Sequence, residues 1–228
     1  MLTRYADDSS RPTVGAAIRD LLVRNVAPAA VLWLGIVGVG LLIKGPLHGL
    51  RSENAISRDV QAGRSARWDT VTMLWSHIGN TEIVIGVCAL AVGLLWWQTG
   101  QWWRAVVPAI AIAIQSTVFV IATAVVGRPR PDVAHLDPAP PTSSYPSGHV
   151  GASTALYVSF ALLAQGIERP VLRRLVTGAC VVVPVLVGWA RLYRGMHHLT
   201  DILVGVLNGL ACALLAWFYL RRESPSGR

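Results

Sequence analysis

Residues 147–201 read SGHVGASTALYVSFALLAQGIERPVLRRLVTGACVVVPVLVGWARLYRGMHHLTD, two apolar runs separated by the basic turn that holds Arg169, Arg173 and Arg174. A bilayer core about 30 Å thick takes roughly 20 helical residues per crossing, so this stretch reads as two crossings. Two crossings return the chain to the face it left. His149 and His197, 48 positions apart in sequence, are therefore expected at one membrane surface, each near a helix start.

The rest of the chain fits the same reading. Of 228 residues, 53% are hydrophobic and 14% charged, too apolar for an ordinary soluble domain. Six apolar runs are expected to span: 26–43, 82–97, 103–126, 147–163, 175–190 and 199–220. The expected fold is all-α, a polytopic membrane protein with a six-transmembrane-helix bundle. The run 26–43 is too long for a signal-peptide core and no small-residue cleavage site follows it, which marks it as a retained span. Residues 1–25 are then a polar N-terminal segment, 26–220 the membrane-embedded domain and 221–228 a polar tail.

Residues 44–80 carry Lys44, Arg51, Glu53, Arg58, Asp59, Arg64, Arg67 and Asp69, and a segment of that length is expected to form a partly helical extracytoplasmic cap. Its charges are expected on a solvated face. Residues 128–147 hold six prolines and are expected to form an extended external loop. Trp96, Trp97, Trp102 and Trp103 read as an interfacial aromatic belt. Gln115, Ser116 and Thr117 interrupt the third run and are expected to bond between helices. Gly205 and Gly209 have the spacing that lets helices approach closely. Cys88, Cys180 and Cys212 lie in apolar runs with no pairing pattern and read as small core residues.

A net charge of +8 raises the question of nucleic acid, but basic residues flanking spans set topology and meet anionic lipid head groups, so no nucleic-acid partner is expected. With the N-terminus inside, Arg4, Arg11, Arg19, Arg24, Arg104, Arg169, Arg173, Arg174, Arg221, Arg222 and Arg228 are cytoplasmic, 11 of the 20 basic residues. Four of the other nine (Arg128, Arg130, Arg191, Arg194) belong to the polar clusters. The bias favours both termini in the cytoplasm.

The clusters have the chemistry of a phosphate site. A helix N-terminus favours a bound anion. Pro146 sets the start of the fourth span, Ser147 can cap it or donate a hydroxyl, and Gly148 admits close backbone approach. Arg128, Arg130 and Arg191 supply planar forks for phosphate oxygens. With His197 and Asp201 at i and i+4, the carboxylate is expected to hold one imidazole nitrogen protonated while the other acts as nucleophile. His149 is expected to serve as general acid toward the leaving oxygen, then to activate water against a phosphohistidine. His198 points elsewhere and reads as structural, and His48, His77 and His135 read as surface residues. Two metal readings are open, His135 with Asp137 and a zinc triad of His149, His197 and Asp201; arginines around the triad argue against a bound cation.

Arg130-Pro131, then Pro146-Ser147-Gly148-His149, then Arg191 with His197 and Asp201 resemble, in order and spacing, the three signature motifs of the lipid phosphate phosphatase family, the superfamily of type 2 phosphatidic acid phosphatases and vanadium haloperoxidases. The resemblance covers residues 123–201, and the six-span layout extends it. It implies a phosphatase without metal or other cofactor, with its site at the extracytoplasmic face. It also implies His197 as nucleophile, Asp201 as its partner, His149 as acid, and Arg130, Arg191, Ser147 and Gly148 as phosphate ligands. Thr123 stands where the family has lysine and Ala190 where it has serine; Arg128 is the candidate replacement cation. The expected function is hydrolysis of a lipid phosphate or diphosphate of polyprenyl diphosphate, phosphatidic acid or phosphatidylglycerol phosphate type, with membrane lipids as surroundings. A lipid-phosphate binder or transporter that keeps the anion site without turnover is the alternative. The haloperoxidase branch fits less well, since nothing resembles a soluble vanadate-holding domain.

Overall fold

The computed structural model describes residues 12–219, together with the backbone of 5–6 and 222–223. Arg4, Arg11, Arg221 and Arg228, used in the charge count, lie outside the described residues, as do Leu220 and most of the 221–228 tail.

Eight helices form the described chain. Helix α1 (Val14–Lys44) starts twelve residues before the expected span and continues through a π-helical turn at Leu22–Val26. Thr13 caps it by accepting from the Ala16 N–H, which explains why the helix starts inside the polar segment. The cap segment forms α2 (Glu53–Ala62) and α3 (Ala66–Ile78). Then come α4 (Thr81–Thr99), α5 (Trp102–Val126), α6 (Gly148–Leu163), α7 (Pro170–Tyr193) and α8 (Leu199–Phe218).

Five of these, α1, α4, α5, α7 and α8, are long and apolar enough to cross a bilayer. The sixth expected span, α6, has only 16 residues, and its place in the bundle explains its composition. Helices α5, α7 and α8 all pack around it, so it has little lipid to face. Ser153, Thr154 and Ser159 are buried and donate back to carbonyls of their own helix at 2.7–3.1 Å, so they are satisfied without water. Helix α8 lies close against α6, as the Gly205 and Gly209 spacing predicts. A Cβ at Gly209 would meet Thr154 Cβ at 2.5 Å, and one at Gly205 the Ser147 carbonyl at 2.8 Å.

The Trp belt divides. Trp97 is 81% exposed, whereas Trp103 is buried and its carbonyl accepts from the Tyr219 hydroxyl. Thr117 bonds its own helix at Ala113 O, and across helices Asn208 reaches the Gln115 carbonyl at 3.5 Å. The three cysteines are free and buried. Residues 5–6 pair antiparallel with 222–223, which brings the chain ends together.

Candidate active site

The loop between α5 and α6 builds the site. Gly127, left-handed at φ +61, ends α5, and Lys44 Nζ donates to the neighbouring Val126 carbonyl at 2.8 Å. The loop then folds back on itself. Ser144 N donates to Arg128 O at 2.9 Å, Ser144 Oγ to Pro129 O at 2.9 Å, and Ser143 Oγ accepts from Arg128 N at 2.8 Å. Tyr145, fully buried, ties the loop to α1 through Ile36 O at 2.8 Å. Thr123, at the family's lysine position, is buried and supports the same loop, donating to Ser143 O at 3.4 Å. The closed loop is thus a scaffold rather than the extended arm that its prolines suggest.

It aims the Ser144 carbonyl at His197 Nδ1, 2.7 Å away. Here the structure corrects the expected pairing. His197 lies in the turn before α8, Asp201 Oδ2 is 4.0 Å from its Nδ1, and the hydrogen-bond partner is a backbone oxygen. The turn after α7 that carries His197 passes through Gly195 at φ +75, where a Cβ would meet Ala134 O at 2.9 Å. A carbonyl only accepts, so Nδ1 carries the proton and Nε2 keeps its lone pair while the ring is neutral. Burial, then the charges of Arg191 and Arg130, holds the ring well below the ordinary histidine value. It is neutral at physiological pH.

His197, His149, Arg130, Arg191 and Gly148 line one cavity of about 450 Å³, so the crossings bring the two clusters together. Its walls continue downward between α4 and α5 along Val84, Ile85, Ile112 and Phe119. His149 Nε2 is 3.1 Å from Asn80 Oδ1 at the start of α4. Arg130 donates to Met196 O at 2.7 Å, and Arg191 to Ser76 Oγ and Asp137 Oδ2, each at 2.8 Å. The Nε atoms of Arg130 and Arg191 and the hydroxyl of Ser147 are buried without a hydrogen-bond partner in the protein. Donors in that state suit an incoming oxyanion. Ser147 does not cap α6; its N–H donates to Asp201 O at 3.0 Å. The glycine at 148 has a steric reason, since a Cβ there would meet the Phe119 ring at 2.8 Å.

Arg128 does not line this cavity. It is 2% exposed, and its two terminal nitrogens are taken up by Asp201 Oδ1 at 2.6 Å, Glu53 Oε2 at 2.8 Å, Gly49 O at 2.7 Å and Thr200 Oγ1 at 2.7 Å, while its Nε is buried without a partner. It is therefore no replacement for the absent lysine. Asp201 also accepts from the His198 N–H at 2.8 Å, which sets the first turn of α8. Glu53, expected on a solvated surface, is buried and accepts from Thr200 N at 2.9 Å. Asp137 is held by Arg194 and Arg191; burial raises its carboxyl, but the two guanidiniums outweigh that and the net shift is downward. It pairs with arginine rather than joining His135, whose ring meets Pro131 O. No group of three His, Cys, Asp or Glu side chains among the described residues is arranged around a metal position. Asp201 stands outside the cavity that His149 and His197 share, so the three do not form a triad.

Sequence reasoning missed Asn80, Ser76, Asp137, Glu53 and Ser144. Four arginines near the site require buried carboxylates, and that imbalance was the available signal for Glu53 and Asp137.

The family profile of the PAP2 superfamily matches residues 104–225, more than half of the chain, and the chain belongs to that superfamily. In fold it is similar to the transmembrane PAP2 type phosphatidylglycerolphosphate phosphatase from Bacillus subtilis, with a TM-score of 0.72 and 23% identity over 83% of this chain and 94% of that one. It is also similar to LpxE of Aquifex aeolicus, with a TM-score of 0.56 and 18% identity over 72% and 93% of the two chains. No curated protein sequence matches it significantly.

Proposed function

We propose that this PAP2 superfamily member is an integral membrane phosphatase that hydrolyses a lipid phosphate or diphosphate through a phosphohistidine. The observation that carries this is the neutral His197 ring, its Nδ1–H fixed on the Ser144 carbonyl at 2.7 Å, in a cavity with two arginines that keep unpaired donors. His197 Nε2 attacks phosphorus, the bond from phosphorus to the lipid oxygen breaks, and His149, which enters the step as the imidazolium beside the bound phosphate anion, gives the departing oxygen its proton. His149 then takes a proton from water, which attacks phosphorus and releases phosphate and the free His197 ring. Arg130 and Arg191 hold the equatorial oxygens, whose charge grows during transfer. Asp201 acts through position, anchoring Arg128 and the start of α8.

The apolar wall between α4 and α5 supports a lipid substrate, because a head group at His197 would leave its tails along the spans. The basic-residue bias and the pairing of 5–6 with 222–223 support both termini in the cytoplasm, with the site at the opposite face. The test is phosphate release by the detergent-purified protein across phosphatidic acid, phosphatidylglycerol phosphate and polyprenyl diphosphate. Release that persists in EDTA, is blocked by vanadate and disappears in His197→Ala supports the reading. Binding of those lipids without any release favours the binder.

A further inference from the structure

A second cavity, of about 460 Å³, lies on the other side of Arg130, which lines both. The remaining wall comes from the end of α1 and the turn after it, with Lys44 and Arg51, from Asn54 in the first turn of α2, and from Arg128, Asp132 and His198. Its charge is not balanced. Lys44, Arg51 and Arg130 have no carboxylate partner among the described residues; with Arg128, four cations stand against Asp132 and the two carboxylates that hold Arg128, Glu53 and Asp201, an excess of one positive charge. Lys44 is the chain's single lysine, and its one protein bond, to Val126 O, leaves two ammonium protons free. Arg51 has no side-chain bond at all among the described residues.

The wall also holds buried polar atoms that the protein leaves unmatched. His198 is 5% exposed with its Nε2 facing Pro129 O at 3.3 Å, and Asn54 Oδ1, Arg128 Nε and Arg130 Nε are buried without a hydrogen-bond partner. The turn that closes the cavity is strained. His48, Gly49 and Leu50 are all left-handed, at φ 51, 73 and 51, and the turn is held there by Arg128 donating to Gly49 O.

We propose that this cavity binds a second phosphate-type oxyanion, separate from the group attacked by His197. Lys44 and Arg51 supply its charge, and Arg130 forms the partition between the two anions. The chemistry suits either the phosphodiester head group of an anionic lipid at the leaflet surface or free orthophosphate. Neither Lys44 nor Arg51 touches the cavity of His197, so the double variant Lys44→Gln, Arg51→Gln separates the sites, and a glutamine amide at position 44 can still donate to Val126 O.

The experiment counts bound [32P]orthophosphate per full-length chain by equilibrium dialysis in nanodiscs, alongside turnover of a lipid phosphate. In phosphatidylcholine nanodiscs the wild type is expected to bind two phosphates and the double variant one, with turnover unchanged within about twofold. If the wild-type count falls to one in phosphatidylglycerol nanodiscs, the lipid head group is the natural occupant; if it stays at two, free phosphate is. A wild-type count of one in phosphatidylcholine, or a double variant that still binds two, overturns the proposal. Failure of the phosphatase reading would appear instead as absent turnover with the counts unchanged.

Discussion

Arg128 and Arg130 are two positions apart in one short motif and have opposite fates. Arg128 spends both terminal nitrogens on two carboxylates, a carbonyl and a hydroxyl, and the two carboxylates more than offset its charge inside the fold. Arg130 meets only carbonyls, at Met196 and Thr142, has no carboxylate partner among the described residues and lines the cavity of His197, although both arginines keep a buried Nε without a partner. The difference lies in what surrounds each side chain. An arginine whose charge the protein itself neutralises is a structural strut, and one that meets only neutral groups keeps its charge for a ligand.

The sharpest way to break that contrast is at the nucleophile. His197→Ala is expected to lower kcat by roughly 10⁴-fold or more while the protein remains folded, read by phosphate release and by thermal unfolding in detergent. Arg130→Ala is expected to reduce kcat/KM by about 10²–10³-fold with little change in melting temperature. Arg128→Ala should do the reverse. It leaves Asp201 and Glu53 buried without their cation, a loss of about 3–5 kcal/mol of stability that thermal unfolding would show. Equal effects of the two substitutions on stability would erase the distinction.

Acidity gives a subtler test. The native His197 value lies well below 6.5, so between the two values the unfolded chain carries a proton that the native one does not. Stability therefore falls as pH drops below 6.5, and the acid limb of kcat/KM, where the attacking lone pair is protonated, lies further toward acid, while loss of the His149 proton sets the basic limb. An acid-limb midpoint of kcat/KM at 6.5 or above would contradict a buried neutral nucleophile. Gly209→Ala is expected to cost about 3 kcal/mol of stability, read by thermal unfolding in detergent, because its Cβ would press on the Gly151 carbonyl and stand 2.5 Å from Thr154 Cβ, forcing α8 away from α6.

Much of this was readable before any coordinates. Apolar run lengths gave the spans, and the return of the chain after two crossings put His149, Arg191 and His197 in one cavity. The partner of His197 was not readable. A spacing of four from His197 to Asp201 indicates a shared helix face only if both residues are helical, and the turn at Gly195 delays α8 until Leu199. The supporting carboxylates were hidden for a different reason. Glu53 and Asp137 sit in charged, loop-rich stretches where most acids are solvated, and nothing local separates them from Asp59 or Asp132. Asn80 is the residue before α4, where asparagine commonly serves as a cap; its side chain makes no cap bond and turns to His149 instead.

The short, serine-bearing α6 has a consequence for parity. A count of crossings by length and oiliness stops at five, and an odd number sends the two chain ends to opposite sides. Residues 5–6 pair with 222–223, and the proposed placement of both ends on one side calls for an even number. Under that proposal the helix that looks least suited to a bilayer makes the count even, and its sister helices, rather than lipid, are its solvent.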